Sequence, residues 1–509
     1  MASRTQKGIK NSKVAMLYYI LSMALGFISR KVFIEHLGAD VLGLNSTAQN
    51  LLGFLNLAEL GIGSAIAFTL YKPLAQNDHH TIREIITVQG WLYRKISTIV
   101  AIGAIVLMCF FPLIFKSMDL PIWYAYASFG IYLYSSLLTY YTNYKQIILS
   151  ANQEEYKITY SYKLVLLFQT FAQILAISYF ANGYVWWLVI QFVFSTIAAW
   201  NLNRVIRKDY PYLIIKLSEG RLLSKKYPVI IQKVKQLFIH KFAGFVLTQT
   251  SSLIIYAYTS LFMVAVYGNY MLIVNSITMM FTAIFNGVTA GVGNLVAEGE
   301  KKHILDVFEE LFSSRFLCVS TFVFCIYKLS ASFMTLWLGE KYVFEDLIVI
   351  EILIIMYIVL TRTTIDAFIS AYGLFRDIWA PVVEATLNLS LSVVLGYYYG
   401  IKGILLGVIL SLLIIVKGWK PYFVFKNAFH VPYASYVLMY VKHLLVFAAS
   451  CFICNTCYKY ILINNVRNYT DWFINSVIVF CTFSIVLYAF MYTFIPGIRM
   501  FTSRFIHKK

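Results

Sequence analysis

The sequence predicts an all-α polytopic membrane protein of about 14 transmembrane helices, arranged as two pseudo-symmetric six-helix bundles plus two C-terminal helices. Three observations predict this fold class. Of the 509 residues, 60% are hydrophobic and only 13% are charged, whereas about a quarter of the residues of a soluble protein are charged. Apolar stretches of about 20 residues, long enough to cross a bilayer, recur along nearly the whole chain. The third observation is a weak internal repeat.

The repeat relates the two halves of the chain at a nearly constant spacing. The Ser-Ala pair at 150–151 recurs at 370–371, and the segment 41–45 (VLGLN) aligns with 266–270 (VYGNY). An even number of helices in each copy gives both copies the same orientation in the membrane, with their pseudo-twofold axis along the membrane normal. Because membrane proteins built from two similar bundles usually hold a substrate between them, a transporter is the first functional hypothesis.

The first bundle is predicted over residues 1–202. The chain begins MASR and runs into a long apolar stretch without a small-residue cleavage site, so we expect a retained first helix and not a signal peptide. The predicted spans of this bundle are 14–36, 43–71, 96–115, 122–147, 160–180 and 184–202.

A basic cytoplasmic linker is predicted over residues 203–236. Its lysines and arginines are interleaved with Leu, Ile and Val. From Val229 to Ile239 the apolar residues recur at helical spacing beside lysines, which favours an interfacial helix on the membrane surface. A plain solvated linker is the alternative interpretation.

The second bundle is predicted over residues 237–425, and residues 426–509 are predicted to form two additional transmembrane helices and a basic cytoplasmic tail. No stretch outside the predicted spans is long enough for a separate folded domain. The predicted spans of this half are 238–257, 263–290, 314–333, 347–372, 380–399, 403–424, 437–459 and 472–495.

The charge distribution predicts the topology. Most of the 42 Lys and Arg residues fall in the loops of one side and at both termini, which places both termini in the cytoplasm. The net charge of +19 therefore indicates contact with anionic membrane lipids, and nucleic-acid binding is not predicted. The Lys and Arg residues toward the other face are Lys116, Lys328, Lys341, Lys402, Lys459 and Arg467.

No cofactor or metal site is predicted. Cys451, Cys454 and Cys457 form a C-x-x-C-x-x-C run, but it lies inside a predicted span and lacks both a fourth local cysteine and a following proline. These cysteines are interpreted as small buried apolar residues. His79 and His80 have no other ligand at a suitable spacing.

Ionisable and amide side chains in the first two predicted spans are candidate site residues, because such groups are costly inside a membrane. Arg30 lies deep in the outer half of the first span. Asn45, Asn56 and Glu59 make the second span unusually polar, which indicates a water-facing surface. Glu59 is predicted to face a cavity, to pair with a basic residue, or to bind a coupling proton or cation.

The second bundle contributes five further candidates. Arg362 and Asp366 are four residues apart on one predicted helix, as are Glu384 and Asn388 on the next, so each pair shares a helix face. Lys417 lies near the inner end of the following helix. Mutual neutralisation is the alternative interpretation for Arg362 and Asp366, and ordinary positive-inside bias is the alternative for Lys417.

Taken together, these residues predict a substrate cavity. Convergence of Arg30, Arg362 and Lys417 would make the cavity cationic and suited to a phosphate-bearing substrate. The candidate substrate-binding residues are Arg30, Asn45, Asn56, Glu59, Arg362, Glu384, Asn388 and Lys417. The candidate ion-coupling carboxylates are Glu59, Asp366 and Glu384.

Several motifs resemble the Wzx-type polysaccharide-biosynthesis flippases. This family belongs to the multidrug/oligosaccharidyl-lipid/polysaccharide (MOP) exporter superfamily, which also includes the MATE exporters and the lipid II flippases. In the first bundle the resemblance lies in the segments 43–45 (GLN), 57–65 (LAELGIGSA) and 71–74 (YKPL). In the second bundle it lies in 267–270 (YGNY), 293–295 (GNL), Arg362, 373–376 (GLFR), Pro381, Glu384 and 388–389 (NL).

The resemblance implies a fold and a function. The fold is two six-helix bundles around a central cavity, often with two extra helices. The function is to move undecaprenyl-diphosphate-linked oligosaccharides from the cytoplasmic to the periplasmic leaflet of the bacterial inner membrane. Basic cavity residues would bind the diphosphate and sugars. A polysaccharide polymerase and other assembly proteins would be partners.

The sequence therefore predicts a flippase that works by alternating access, for O-antigen, capsule or exopolysaccharide synthesis, and not an enzyme. No ATPase motif is present, since Gly-x-x-x-x-Gly-Lys-Ser/Thr does not occur. One alternative is an ion-coupled multidrug exporter of the same fold, which an acidic, aromatic cavity would support. The other is a membrane-embedded polysaccharide polymerase, which would need a large periplasmic loop.

Overall fold

The computed structural model describes residues 4–59, 61–116, 118–298, 301–374, 377, 379–463 and 466–506. Within these ranges the secondary structure is helical, and no strand occurs. The chain divides into two compact units, residues 1–268 and 269–509. The earlier division into bundles, linker and C-terminal helices stays a prediction.

The first unit is formed by twelve helices and the start of a thirteenth. Short 3-10 turns at Asn56–Glu59, Asn143–Gln146 and Leu217–Glu219 connect some of them, and a π turn at Thr159–Lys163 precedes α9. The helices are α1 (Arg4–Leu37), α2 (Ala39–Leu55), α3 (Ile62–Gln76), α4 (His79–Cys109), α5 (Phe111–Ile114), α6 (Trp123–Tyr141), α7 (Ile147–Ala151), α8 (Glu155–Ile158), α9 (Leu164–Tyr179), α10 (Gly183–Asp209), α11 (Gly220–Lys226) and α12 (Pro228–Tyr258).

The second predicted span, 43–71, is not one helix, and this corrects the sequence prediction. It is split into α2 and α3 by the 3-10 turn Asn56–Glu59 and by Gly61. Gly61 has φ 92° and ψ −20°, a left-handed conformation that glycine adopts without steric cost. Non-helical backbone at membrane depth is tolerated where it lines a cavity, so this break indicates a cavity beside it.

A network of charges and hydrogen bonds holds the start of α1 to the loop before α8. The carboxylate of Glu154 pairs with Lys7 at 2.9 Å and with Lys157 at 2.8 Å, and it accepts a hydrogen bond from the hydroxyl of Tyr210. Lys157 also pairs with Asp209 at 2.7 Å. Burial alone would raise the pKa of Glu154, but Lys157 and Lys7 lower it below the usual glutamate value.

The segment between α10 and α12 is anchored on α4. Lys226 donates to both carboxylate oxygens of Glu84, at 2.9 and 2.7 Å, and Gly220 approaches Trp91 so closely that a Cβ would overlap it. Residues 229–239 form the first part of the 31-residue helix α12. Their placement on the membrane surface stays a prediction.

The second unit contains the rest of α13 and seven further helices. Gly400, with φ 58° and ψ −137°, divides α16, as the sequence predicts from the separate spans 380–399 and 403–424. π turns at Leu413–Trp419 and Phe425–Phe429 flank α17. The helices are α13 (Leu261–Glu298), α14 (Lys301–Leu338), α15 (Asp346–Ala371), α16 (Trp379–Leu412), α17 (Lys420–Val424), α18 (Tyr433–Ile461), α19 (Tyr469–Phe494) and α20 (Pro496–Ile506).

Helix α14 is the central support of the second unit. Phe308 and Phe312, fully buried on α14, pack edge-on against Phe368 and Tyr436. At the C-terminus of the chain, Gly497 of α20 approaches the α14 backbone so closely that a Cβ would overlap it. The predicted basic tail is therefore, up to residue 506, a helix packed on α14.

Ten described helical segments are long and apolar enough to cross a membrane. One of them, Trp379–Phe429, contains two predicted spans. The predicted spans 43–71, 122–147 and 238–257 fall outside the ten but are largely helical, in α2 and α3, in α6 and in α12. The all-α polytopic membrane fold is confirmed.

Candidate functional site

A cavity of about 630 Å³ lies in the first unit beside the break between α2 and α3. Two carboxylates, Glu59 and Glu155, belong to its lining, whereas none of its described lining residues is a lysine or an arginine. The lining of this cavity is therefore acidic. Arg30, Arg362 and Lys417 are not among its described lining residues, and their convergence on a cationic cavity stays a prediction. Its lining is Gly53, Asn56, Glu59, Gly61, Gly63, Ser64, Ala67, Tyr71, Ile147, Ser150 and Glu155.

Hydrogen bonds from α4 and α6 hold the turn that carries Asn56 and Glu59. The side-chain oxygen of Asn56 accepts from Ser136 at 3.0 Å and from Tyr140 at 2.8 Å. The hydroxyl of Tyr93 donates to the carboxylate of Glu59 at 3.1 Å. These bonds fix both predicted site residues at the cavity wall, and they leave the amide nitrogen of Asn56 as its remaining donor.

Asn45 is buried away from this cavity lining. Its side-chain oxygen accepts from the hydroxyl of Tyr184 at 3.0 Å, and the ring of Tyr184 stacks on that of Tyr124 at 4.5 Å. Its amide nitrogen has no hydrogen-bond partner among the described residues. A contact of Asn45 with substrate stays a prediction.

Arg30 contacts the start of α13, within the first unit. Its guanidinium donates to the carbonyl oxygen of Ala265 at 3.4 Å and lies where a Cβ of residue 268 would stand. The aligned glycine of the repeat, Gly43, meets α13 as well, since a Cβ there would overlap the carbonyl oxygen of Leu261. Close packing therefore requires glycine at position 43, where the neighbour is backbone, whereas at position 268 the neighbour is the end of the flexible Arg30 side chain.

In the second unit, Arg362, Asp366, Glu384 and Lys420 form a four-charge cluster on α15, α16 and α17. Arg362 pairs with Asp366 at 2.8 Å and with Glu384 at 3.1 Å, and Lys420 pairs with Asp366 at 2.9 Å. Glu384 is fully buried, and its second oxygen has no partner among the described residues. The neutralisation of Arg362 by Asp366 is thus present, with Glu384 added to it.

Lys417 lies apart from these carboxylates. It is buried in the π turn before α17 and donates to the hydroxyl of Thr361 at 2.7 Å. Its ammonium is 4.7 Å from the centre of the Tyr440 ring and 5.1 Å from that of Tyr357, a cation–π arrangement. The charge of Lys417 is therefore held by a hydroxyl and two aromatic rings.

Asn388 is buried one turn beyond Glu384 on α16. Its amide nitrogen donates to the hydroxyl of Ser411 at 3.4 Å, and its side-chain oxygen has no partner within the described chain. Asn388 is therefore fixed by the part of α16 that follows the break at Gly400, and it keeps one unused acceptor.

Sequence reasoning missed Arg315. Only 6% of this residue on α14 is exposed. Its guanidinium donates to the hydroxyls of Thr363 and Thr364 and lies 4.4 Å over the ring of Phe285. It forms no ion pair with a carboxylate in the described part of the chain. The polar run 361–364 (TRTT) in the largely apolar α15 was the available signal.

The run 361–364, here called the threonine turn, thus gathers three cations. Arg315 and Lys417 bind its threonines, and Arg362 belongs to it. The four-charge cluster is balanced, with two cations and two carboxylates, so Arg315 and Lys417 give this region formal positive charge. Such a set of donors is suited to phosphate oxygens.

No protein-family model matches the sequence, and no curated protein does. Solved structures do match. The lipid II flippase MurJ, in an inward closed conformation, aligns with 94% of this chain and 99% of its own, with a TM-score of 0.65 and 13% identity. An inward-facing multidrug resistance MATE transporter of the MOP superfamily aligns with 82% of this chain and 98% of its own, with a TM-score of 0.61 and 12% identity.

A MOP superfamily transporter from Pyrococcus furiosus is also similar, with a TM-score of 0.51, 11% identity and coverage of 84% of this chain and 96% of its own. At such identities the likeness concerns the fold. The chain is thus a multi-pass membrane protein with the fold that MATE transporters and the flippase MurJ share.

Proposed function

We propose that this protein is a Wzx-type flippase of the MOP superfamily. It moves undecaprenyl-diphosphate-linked oligosaccharide repeat units across the bacterial inner membrane by alternating access, with both termini in the cytoplasm, for O-antigen, capsule or exopolysaccharide synthesis. The observation that carries the proposal is the group of three cations on the threonine turn, in a fold that aligns with MurJ over 94% of the chain.

The headgroup chemistry fits these cations. A diphosphate linked to sugars cannot cross about 30 Å of hydrocarbon unaided, because its charges and hydroxyls would lose their hydration. Among the described residues, Arg315 and Lys417 are held by hydroxyls and aromatic rings, and they can exchange these contacts for phosphate oxygens. Arg362 is already paired with two carboxylates and therefore orders the turn more than it binds the substrate.

The driving force is an ion gradient or the consumption of product in the periplasm. Three carboxylates are candidates for ion coupling. Asp366 and Glu384 are paired with cations, whereas Glu59 is held by the hydroxyl of Tyr93 and has no ion pair in the described chain. Glu59 is therefore the first candidate. Anionic lipids, a polysaccharide polymerase and other assembly proteins are the partners of this function.

The second candidate function is an ion-coupled multidrug exporter. The acidic cavity of the first unit favours it, because a wall with two carboxylates and no described lysine or arginine suits a positively charged drug. The polymerase alternative receives no support, since the structures compared above are those of transporters and a flippase.

The test is a deletion strain in which accumulation of lipid-linked sugar is tolerated. We expect complete repeat units to accumulate on the cytoplasmic leaflet and surface polymer to be lost, and we expect Arg315→Ala, Arg362→Ala and Arg30→Ala to fail to restore transport. Unpolymerised units in the periplasm would favour the polymerase. Unchanged sugar lipids with increased sensitivity to cationic drugs would favour the exporter.

A further inference from the structure

The acidic cavity has the size and the walls of a ligand site. Its volume of about 630 Å³ is within the range of about 300–1,000 Å³ for small-molecule sites. Gly53, Gly61, Gly63 and Ala67 line it without large side chains. A bulky, polar group therefore fits against the backbone of the break between α2 and α3.

The cavity wall carries both hydrogen-bond acceptors and a donor, which is the combination that suits sugar hydroxyls. Carboxylates accept hydrogen bonds only, and the carboxylate of Glu59 is oriented by Tyr93. The amide nitrogen of Asn56 is left as a donor, since its oxygen is used by Ser136 and Tyr140. Hydroxyl groups of a sugar can donate to the carboxylate of Glu59 and accept from the amide nitrogen of Asn56.

An aromatic ring completes the set. Tyr71 lines the cavity and is 56% exposed, so its ring is available to a ligand. The C–H face of a sugar ring is apolar and packs on such a surface, while the hydroxyls at its edge stay hydrogen-bonded. Acceptors, a donor and an exposed aromatic ring together favour a carbohydrate over a purely apolar ligand.

The negative charge of the cavity wall disfavours ligands that carry a negative charge themselves. Glu59 and Glu155 are carboxylates, and no described lining residue is a lysine or an arginine. A ligand carboxylate or phosphate in this cavity would face like charge, which costs several kcal/mol when it is desolvated. A neutral sugar meets no such cost, and an ammonium group on a sugar is attracted.

From these observations, and resting on the proposed function, we infer that this cavity holds the sugar part of the headgroup and selects neutral or amine-bearing sugars over sugars that carry a carboxylate. The cavity is thus a specificity site for the class of repeat unit, distinct in its chemistry from the cations of the threonine turn.

The test uses the purified full-length protein in liposomes. Three fluorescent undecaprenyl-diphosphate disaccharides of equal length carry a terminal N-acetylglucosamine, glucosamine or glucuronic acid. We expect the neutral and amine-bearing lipids to be flipped at similar rates and the glucuronate lipid at least about tenfold more slowly. In Glu155→Gln we expect this difference to fall to about threefold. Glu35→Gln, on an exposed carboxylate of α1, is the matched control and should keep the wild-type ratio.

The outcomes separate the two proposals. If none of the three lipids is flipped, the proposed function is wrong. If glucuronate is flipped as fast as N-acetylglucosamine, the inference is wrong and the flippase function stands. Glu59→Gln is a second variant; if it stops all three substrates through a coupling role, the decision rests on Glu155→Gln, and an unchanged ratio there overturns the inference.

Discussion

The two units of this protein differ in the charged residues of their candidate sites. The first unit presents two carboxylates to a cavity at a break in its helices. The second unit pairs Arg362, Asp366, Glu384 and Lys420 with one another. It holds Arg315 and Lys417 with threonines and aromatic rings. The two units thus differ in chemistry: one places carboxylates at a cavity wall, and the other holds cations among hydroxyls and aromatic rings.

The largest effect on stability is expected from removing one carboxylate of the four-charge cluster in the second unit. Glu384→Ala removes one carboxylate partner of Arg362 from a fully buried position. Removing one member of a buried ion pair costs about 3–5 kcal/mol. Thermal unfolding of the purified protein should show a large decrease in stability. Glu345→Ala is the control, since its pair with Lys402 is exposed; an equal loss in both variants would contradict the comparison.

Transport should depend on Arg315 more than on a surface arginine. Arg315→Ala removes charged donors of the threonine turn, and the loss of such a charged hydrogen bond, about 2 kcal/mol, corresponds to a rate about 30-fold lower. The liposome assay measures this rate. Arg499→Ala, on the exposed side of α20, is the control. Wild-type transport by Arg315→Ala would remove this residue from the proposed binding site.

In the first unit, a smaller loss of stability is expected from replacing the repeat glycine Gly43. Gly43→Ala should cost about 1–3 kcal/mol, because the added methyl overlaps the carbonyl oxygen of Leu261. Gly26→Ala is the control, since a Cβ there meets no atom within 4 Å among the described residues. Thermal unfolding compares the two. If Gly43→Ala is as stable as Gly26→Ala, close packing does not explain the repeat.

The smallest expected effect is on how the stability of the protein depends on pH, through Glu154 in the loop before α8. Since the pKa of Glu154 is lowered on folding, its contribution is full above the unfolded value of about 4.3 and is lost as pH falls through the folded value. We expect about 1 kcal/mol from these ion pairs. Unfolding between about pH 5 and about pH 2 should therefore show a weaker acid dependence in Glu154→Gln than in the wild type. Equal slopes would contradict this assignment.

The sequence was sufficient for the fold class because hydropathy and charge bias act over whole helices. It also brought Arg362 and Asp366 together, since their spacing of four places both on one face of α15. The contact with Glu384 depends on how α15 packs on α16, and helical spacing within one segment carries no such information. Arg315 was overlooked because its position near a predicted span end resembled ordinary topological charge.

The break in the second predicted span could not be predicted from the sequence, for a different reason. The sequence predicted residues 43–71 as one continuous span. The structure instead uses the left-handed conformation of Gly61 to end the turn that carries Glu59. A glycine in a sequence permits such a conformation without requiring it, so the cavity beside the break was predicted only as a polar face.

The length of α14 has a mechanical consequence. Its 38 residues span about 57 Å, nearly twice the thickness of the hydrocarbon core. Near one end, α20 is fixed to it through Gly497. Toward the other, Trp472 donates to the carbonyl oxygen of Leu329, and Arg315 lies between these two points. If a rigid helix of this length tilts about its middle, its two ends move in opposite directions while Arg315, near the middle, moves little.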